Sequence, residues 1–118
     1  MKHNFKNLKI WIVSMEITSD IHKICLEFPK NEVYGLVSQM NRAAVSMPSN
    51  IAEGFGRQTD KSFNHFLNIS RGSLNEIETQ LIIAKELGFI QDENLYNNLL
   101  FLIEEESKMI NAFAKNLK

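Results

Sequence analysis

Few residues of this chain are spaced for chemistry. The stretch Gly54-Phe55-Gly56-Arg57-Gln58-Thr59 has the glycines of a phosphate-cradling loop that opens a helix. Such a loop needs a strand before it and a Lys-Ser/Thr pair at its end, and neither is present. It reads as a helix stop and a turn, although its amides and Arg57 could still hold an anion at a helix N-terminus. His22 and Cys25 stand three apart on one helical face, but two ligands do not close a metal site. The Glu-x-x-His pairs that build di-iron sites in helical bundles are absent. No Ser, His and Asp share a spacing that suggests an activated nucleophile. Glu104-Glu105-Glu106 reads as a solvated face with one inward carboxylate. We therefore expect no enzyme, no metal and no cofactor.

The remaining polar candidates are cationic. Arg42, Arg57, Lys61 and Arg71 are the residues that would contact phosphates of RNA, with His65 among them. Arg42 and Arg71 fall at about one level of a helical hairpin. Each can instead pair with Glu53, Glu76 or Glu78. The formal net charge of -1 argues against generic, charge-driven nucleic-acid binding.

These residues must be positioned by helices. Pro29, Gly54, Gly56 and Gly88 punctuate the chain into four long segments, and nothing alternates with period two for long enough to make a strand. The first segment runs from about Asn7 to Phe28, where Pro29 stops it. Its inward side is read as Leu8, Trp11, Met15, Ile21, Ile24, Cys25 and Phe28. Asn31 is the expected cap of a second helix over residues 32–53, with a kink at Pro48 or, alternatively, two shorter helices. Thr59 caps a third helix that ends at Leu87-Gly88, and Asp92 caps a fourth. Short links between helices of this length favour antiparallel neighbours, so the expectation is a single domain over residues 1–118. Its fold would be an all-α, up-down-up-down antiparallel four-helix bundle with helix two kinked near Pro48.

Two features go beyond the core pattern. Gly72 falls in the middle of the third helix, at a cost of about 1 kcal/mol relative to alanine. Folded against Ala43 and Ala44, it would let two backbones approach closely. The runs Leu81-Ile82-Ile83-Ala84 and Leu99-Leu100-Phe101-Leu102-Ile103 carry apolar residues around the whole helix circumference at 100° per residue. Equally far from the Gly88 turn, they predict an exposed apolar patch and hence an oligomer interface.

With 44% hydrophobic and 23% charged residues, the chain has material for one core. The single cysteine, Cys25, excludes an internal disulfide and suggests a cytoplasmic setting. The start, Met1-Lys2-His3-Asn4-Phe5-Lys6, is not followed by an apolar run of signal-peptide kind. No stretch approaches the roughly 20 apolar residues of a membrane span.

The central stretch also carries a resemblance. Tyr34-Gly35-Leu36, then Arg42-Ala43-Ala44-Val45-Ser46-Met47-Pro48-Ser49-Asn50-Ile51-Ala52-Glu53-Gly54, resembles the signature of the four helix bundle proteins encoded in intervening sequences of bacterial 23S ribosomal RNA genes. Arg71-Gly72-Ser73-Leu74 with Glu76, Glu78, Thr79 and Gln80 is similar to a second block of that family. Phe28-Pro29, Glu32 and Leu87-Gly88 fit as well. The family commonly has two adjacent arginines before the Ala-Ala pair, whereas here Asn41 precedes Arg42. The resemblance implies a four-helix bundle. It extends to the accessory variability protein of diversity-generating retroelements, a homopentamer that binds RNA and reverse transcriptase through basic surfaces. By that likeness the partners would be further copies of the chain, in a pentamer, and an RNA or ribonucleoprotein. A protein-only oligomeric scaffold is the alternative.

Overall fold

The computed structural model describes residues 4–117; the first three residues of the start read above lie outside them. Four helices account for most of the chain: α1 (Lys9–Cys25), α2 (Leu36–Phe55), α3 (Asp60–Glu86) and α4 (Glu93–Lys115), with 3-10 turns at Phe5–Asn7 and Lys30–Glu32. No strand occurs among the described residues. At about 1.5 Å per residue α3 is roughly 40 Å long, nearly the full 46 Å of a body whose other dimensions are 25 and 23 Å.

The helix ends follow from short-range chemistry. Thr59 accepts from the Ser62 amide at 3.1 Å and Asp92 from the Leu95 amide at 3.0 Å, so each caps the helix after it. At the end of α3, Gly88 takes φ 76°. The Phe89 amide then donates to the Ala84 carbonyl at 3.0 Å and the Gly88 amide to that of Lys85 at 3.1 Å, which closes the helix with a Schellman turn. Phe89 is thereby laid against Phe28, with ring centroids 5.5 Å apart.

Two boundaries differ from expectation. The first helix stops at Cys25, ahead of a turn through Phe28, and the second starts at Leu36 rather than 32. Asn31 does not cap it. Glu32 does that work from within its 3-10 turn, its carboxylate accepting from the Leu36 amide at 3.3 Å. The inward face of α1 is also rotated from the one read in the sequence. Ile10, Ser14, Ile17, Ile21 and Ile24 are buried, while Met15 is exposed.

Two apolar clusters make the core. One joins Ile10 from the start of α1, Ile51 from the end of α2, Phe63 and Leu67 from the start of α3, and Ile110 from the end of α4. The other joins Ile24 and Cys25, Met40, Leu81 and Ala84, and Leu99, from the opposite ends of the same helices. Consecutive helices therefore run in opposite directions. The α2–α3 pair makes the most extensive contact and α3–α4 the least.

Candidate interaction site

Proline at 48 neither ends α2 nor opens a new helix; α2 runs through it. Without an amide hydrogen, Pro48 leaves the Ala44 carbonyl with no partner inside the helix. Thr18 on α1 reaches that carbonyl. Its hydroxyl lies 3.0 Å from the Ala44 oxygen and 2.8 Å from its own Ser14 carbonyl, so one hydrogen serves both. The helix break that proline threatens becomes a contact between α1 and α2.

Polar side chains also knit α2 to α3. Asn50 donates through Nδ2 to the Ser46 carbonyl at 2.8 Å and to its Oγ at 3.0 Å. Ser73 donates to the same Oγ at 2.9 Å, and Ser70 donates to the Met47 carbonyl at 3.0 Å. Met47 and Ile51, between these polar positions, are fully buried. Ser46 and the Met47 carbonyl thus tie α2 to α3, while Asn50 braces Ser46 within α2.

Gly54 completes the seam. A Cβ built on it would lie 2.8 Å from Phe63 Cδ1 and 2.9 Å from Phe66 Cβ. This is the close backbone approach that was assigned to Gly72. Gly72 is exposed, and a Cβ there would meet nothing within 4 Å. Ala43 and Ala44 are buried, but Gly72 is not packed on them, because the Ser70, Ser73 and Leu74 side of α3 faces inward at that level.

The four cations are brought together only in part. Arg57 pairs with Glu53 at 2.7 Å and lies over the Phe66 ring at 4.7 Å. Lys61 is exposed in the first turn of α3, so these two share the α2–α3 turn. Arg42 lines a polar groove between α2 and α3 with Gln39, Ser46, Ser73 and Glu76. Arg71 instead reaches α4, donating from Nη1 to Asn111 at 2.7 Å and from Nη2 to Asn68. Arg42 and Arg71 therefore face different neighbours.

The apolar runs divide between core and surface. Leu81 and Leu99 have no exposed area and belong to the core, which corrects their assignment to an interface. Ile82, Ile83 and Phe101 are exposed at 45%, 44% and 58%. Ile82 and Leu100 line a groove of about 480 Å³ between α3 and α4, floored by Leu74 and Ile103 and edged by Glu78 and Glu104. Sequence runs of this length cover every face of a helix, so the inward member of each is core and the others form the outer surface.

Among the described residues two titratable groups are shifted. Burial pushes the Cys25 thiol up to about 11, so it is no reactive thiolate. Burial alone raises Glu106 to about 8. Among the described residues no three His, Cys, Asp or Glu side chains group as metal ligands. None of the described helices is long and apolar enough to cross a membrane.

The seam between α2 and α3 is built from the residues that carried the sequence resemblance, and the family comparison covers them. The family of 23S rRNA-intervening sequence proteins matches residues 6–112. The chain belongs to this family. Among solved structures it is similar to a member of the S23 ribosomal protein family, of unknown function, from Bacteroides thetaiotaomicron. The two share 23% identity with a TM-score of 0.79, over 91% of this chain and 99% of that one. That likeness shows the fold of the family member. No curated protein matches the chain. In this member of the 23S rRNA-intervening sequence family, the Pro48 stretch serves the α1–α2 and α2–α3 contacts.

Proposed function

We propose that this family member is a non-enzymatic bundle that works by self-association through the outer face of α3 and α4. The exposed Ile82, Ile83 and Phe101 carry this reading, with Ile82 also lining the α3–α4 groove beside Leu100. Apolar area left in water costs about 25 cal/mol per Å², and large exposed patches mark association sites. Leu81 and Leu99 support the face from beneath as core residues. The family likeness would make the assembly a pentamer, and the single cysteine suits a cytoplasmic setting. Light scattering at micromolar concentration should give a mass well above 13.6 kDa. Phe101→Glu should lower it to that of one chain while the helical circular dichroism is kept. A wild-type protein that sediments as a monomer would remove this reading.

A second reading, association with RNA or a ribonucleoprotein, is favoured by the α2–α3 turn. There Arg57 lies over Phe66, with Lys61 exposed nearby and His65 against Phe66 at 5.3 Å. Cations interleaved with aromatic rings suit phosphates and unstacked bases. Replacing Arg57 or Lys61 should reduce the slope of log affinity against log salt by about 0.7 to 0.9 per contact. Arg42 and Arg71 should matter less, since they lie on other faces. Absence of salt-dependent RNA affinity at low ionic strength would leave the protein-only scaffold.

A further inference from the structure

Between the two apolar clusters lies a thin polar layer. On α1, Ser14 falls between Ile10 and Ile17; on α3, Ser70 falls between Leu67 and Leu74; on α4, Glu106 falls between Ile103 and Ile110. All three polar residues have zero exposure. Each serine hydroxyl has one hydrogen, and both are used: Ser14 donates to the Trp11 carbonyl at 2.7 Å and Ser70 to that of Met47 at 3.0 Å. Glu106 has no such arrangement. Both carboxyl oxygens are buried and neither has a hydrogen-bond partner among the described residues.

No charge compensates it. The inward residues at this level are Ser14 on α1, Met47 on α2 and Ser70 on α3, none of them titratable; the buried carboxylate of α1, Asp20, lies about 9 Å further along that helix and is paired with Lys23 at 3.9 Å. Arg71, next to Ser70, is engaged with Asn111 and Asn68. On α4 itself Lys108 is paired with Glu104 and Glu105. An ionised carboxylate in such a place is costly enough that the group stays neutral or moves to water.

The helix that carries Glu106 has the least extensive contact with its neighbours, its second half held by Ile110 in the core and by Phe113 against Phe63 at 5.4 Å. Its contact with α3 is the least extensive between adjacent helices. Its N-terminus is tied down, because the Glu27 carboxylate accepts from the Gln91 and Asp92 amides at 2.8 and 3.2 Å and Lys85 pairs with Glu93. The α3–α4 groove reaches Ile103 and Ser107, the residues flanking Glu106 by a turn or less, so the groove opens within a turn of it.

We propose that Glu106 is a proton-dependent latch on α4: the neutral carboxyl lets the second half of the helix stay docked, and loss of its proton releases that half while the N-terminal end holds. The α4 face would then change with pH, beyond any role it has in self-association.

The direction of the pH dependence follows from the sign of the shift. An unfolded glutamate titrates near 4.5 and the folded one near 8. Between those values the folded state holds a proton that the unfolded state has lost, so Glu106's contribution to stability is fully present below about pH 4.5, declines up to pH 8 and then levels. One proton corresponds to about a tenfold rise in the unfolding constant per pH unit in that window. Urea unfolding of the whole chain at fixed ionic strength, from pH 5 to 9, should show this decline. Glu106→Leu should abolish Glu106's share of it, and Glu106→Gln should do the same wherever it folds. In carboxyl-labelled protein, one glutamate resonance should titrate near pH 8 and vanish in either variant. At pH 8, amide exchange in the second half of α4 should be faster in wild type than in Glu106→Leu, with α2 and α3 unchanged. A glutamate titrating at its ordinary value, or Glu106→Leu with the wild-type pH profile, overturns the proposal. So does an exchange difference spread evenly over all four helices.

Discussion

Gly54→Ala should destabilise the bundle by about 2 kcal/mol, the midpoint of the range for overpacking, although alanine is the better helix former. In an open helix position the exchange of glycine for alanine gains up to about 1 kcal/mol. At Gly54 the added carbon would lie 2.8 Å from Phe63 Cδ1, 2.9 Å from Phe66 Cβ and 3.3 Å from the Phe63 carbonyl. The ring atom can turn aside. Phe66 Cβ is fixed to its backbone and cannot, so α2 and α3 must part, and their separation loosens the cluster of Ile51, Phe63 and Leu67. For a domain of this size the melting temperature should fall by roughly 8 °C. Gly72→Ala is the matching control. It sits inside α3 with open space around it, so it should gain about 0.5 to 1 kcal/mol. Thermal or urea unfolding of both variants tests the pair. If Gly54→Ala proves as stabilising as Gly72→Ala, the close contact is not where the structure places it.

The largest loss should come from Leu81→Ala. Leu81 has no exposed area and lies in the cluster with Ile24, Met40, Ala84 and Leu99. Truncation there removes buried methyl groups and leaves a cavity that four helices close only partly, at a cost of about 2 to 5 kcal/mol. Its neighbour Ile83 is 44% exposed, and Ile83→Ala should change monomer stability by less than about 1 kcal/mol. The same two variants should separate in the opposite sense in an association assay, because only Ile83 is on the outer face. Unfolding midpoints measured with sedimentation on the same samples distinguish the effects. Equal stability losses would mean that the apolar run does not divide between core and surface as described.

Much of the helical plan was legible because it rests on local rules. Thr59 and Asp92 cap helices through their own side chains, and Leu87-Gly88 stops α3 through a backbone conformation that glycine takes easily. Each needs only residues a few places apart. Local reach does not make every boundary legible. Asn31 has the right type for a cap, but Glu32 takes that role through the turn after Pro29. The inward side of α1 was misjudged because Met15 and Ile17 are both apolar, and only the facing helices decide that Ile17 is buried and Met15 exposed.

The candidate site was harder to read for the same reason. Sequence by itself determined that the helices would be four, where proline and glycine would fall, which residues are cationic and which runs hold more apolar residues than one core stripe. It also marked one of Glu104, Glu105 and Glu106 as inward. Tertiary structure alone decided which one, because a rotation of 100° per residue separates the exposed Glu104 from the buried Glu106. It decided that Gly54, rather than Gly72, is where two backbones meet, and that Thr18 would reach the carbonyl that Pro48 leaves open. It also sent Arg42 and Arg71 to different neighbours. Caps and stops are fixed by contacts within a turn of helix, whereas burial, pairing and close approach depend on how each helix is rotated about its axis against residues far away in the chain.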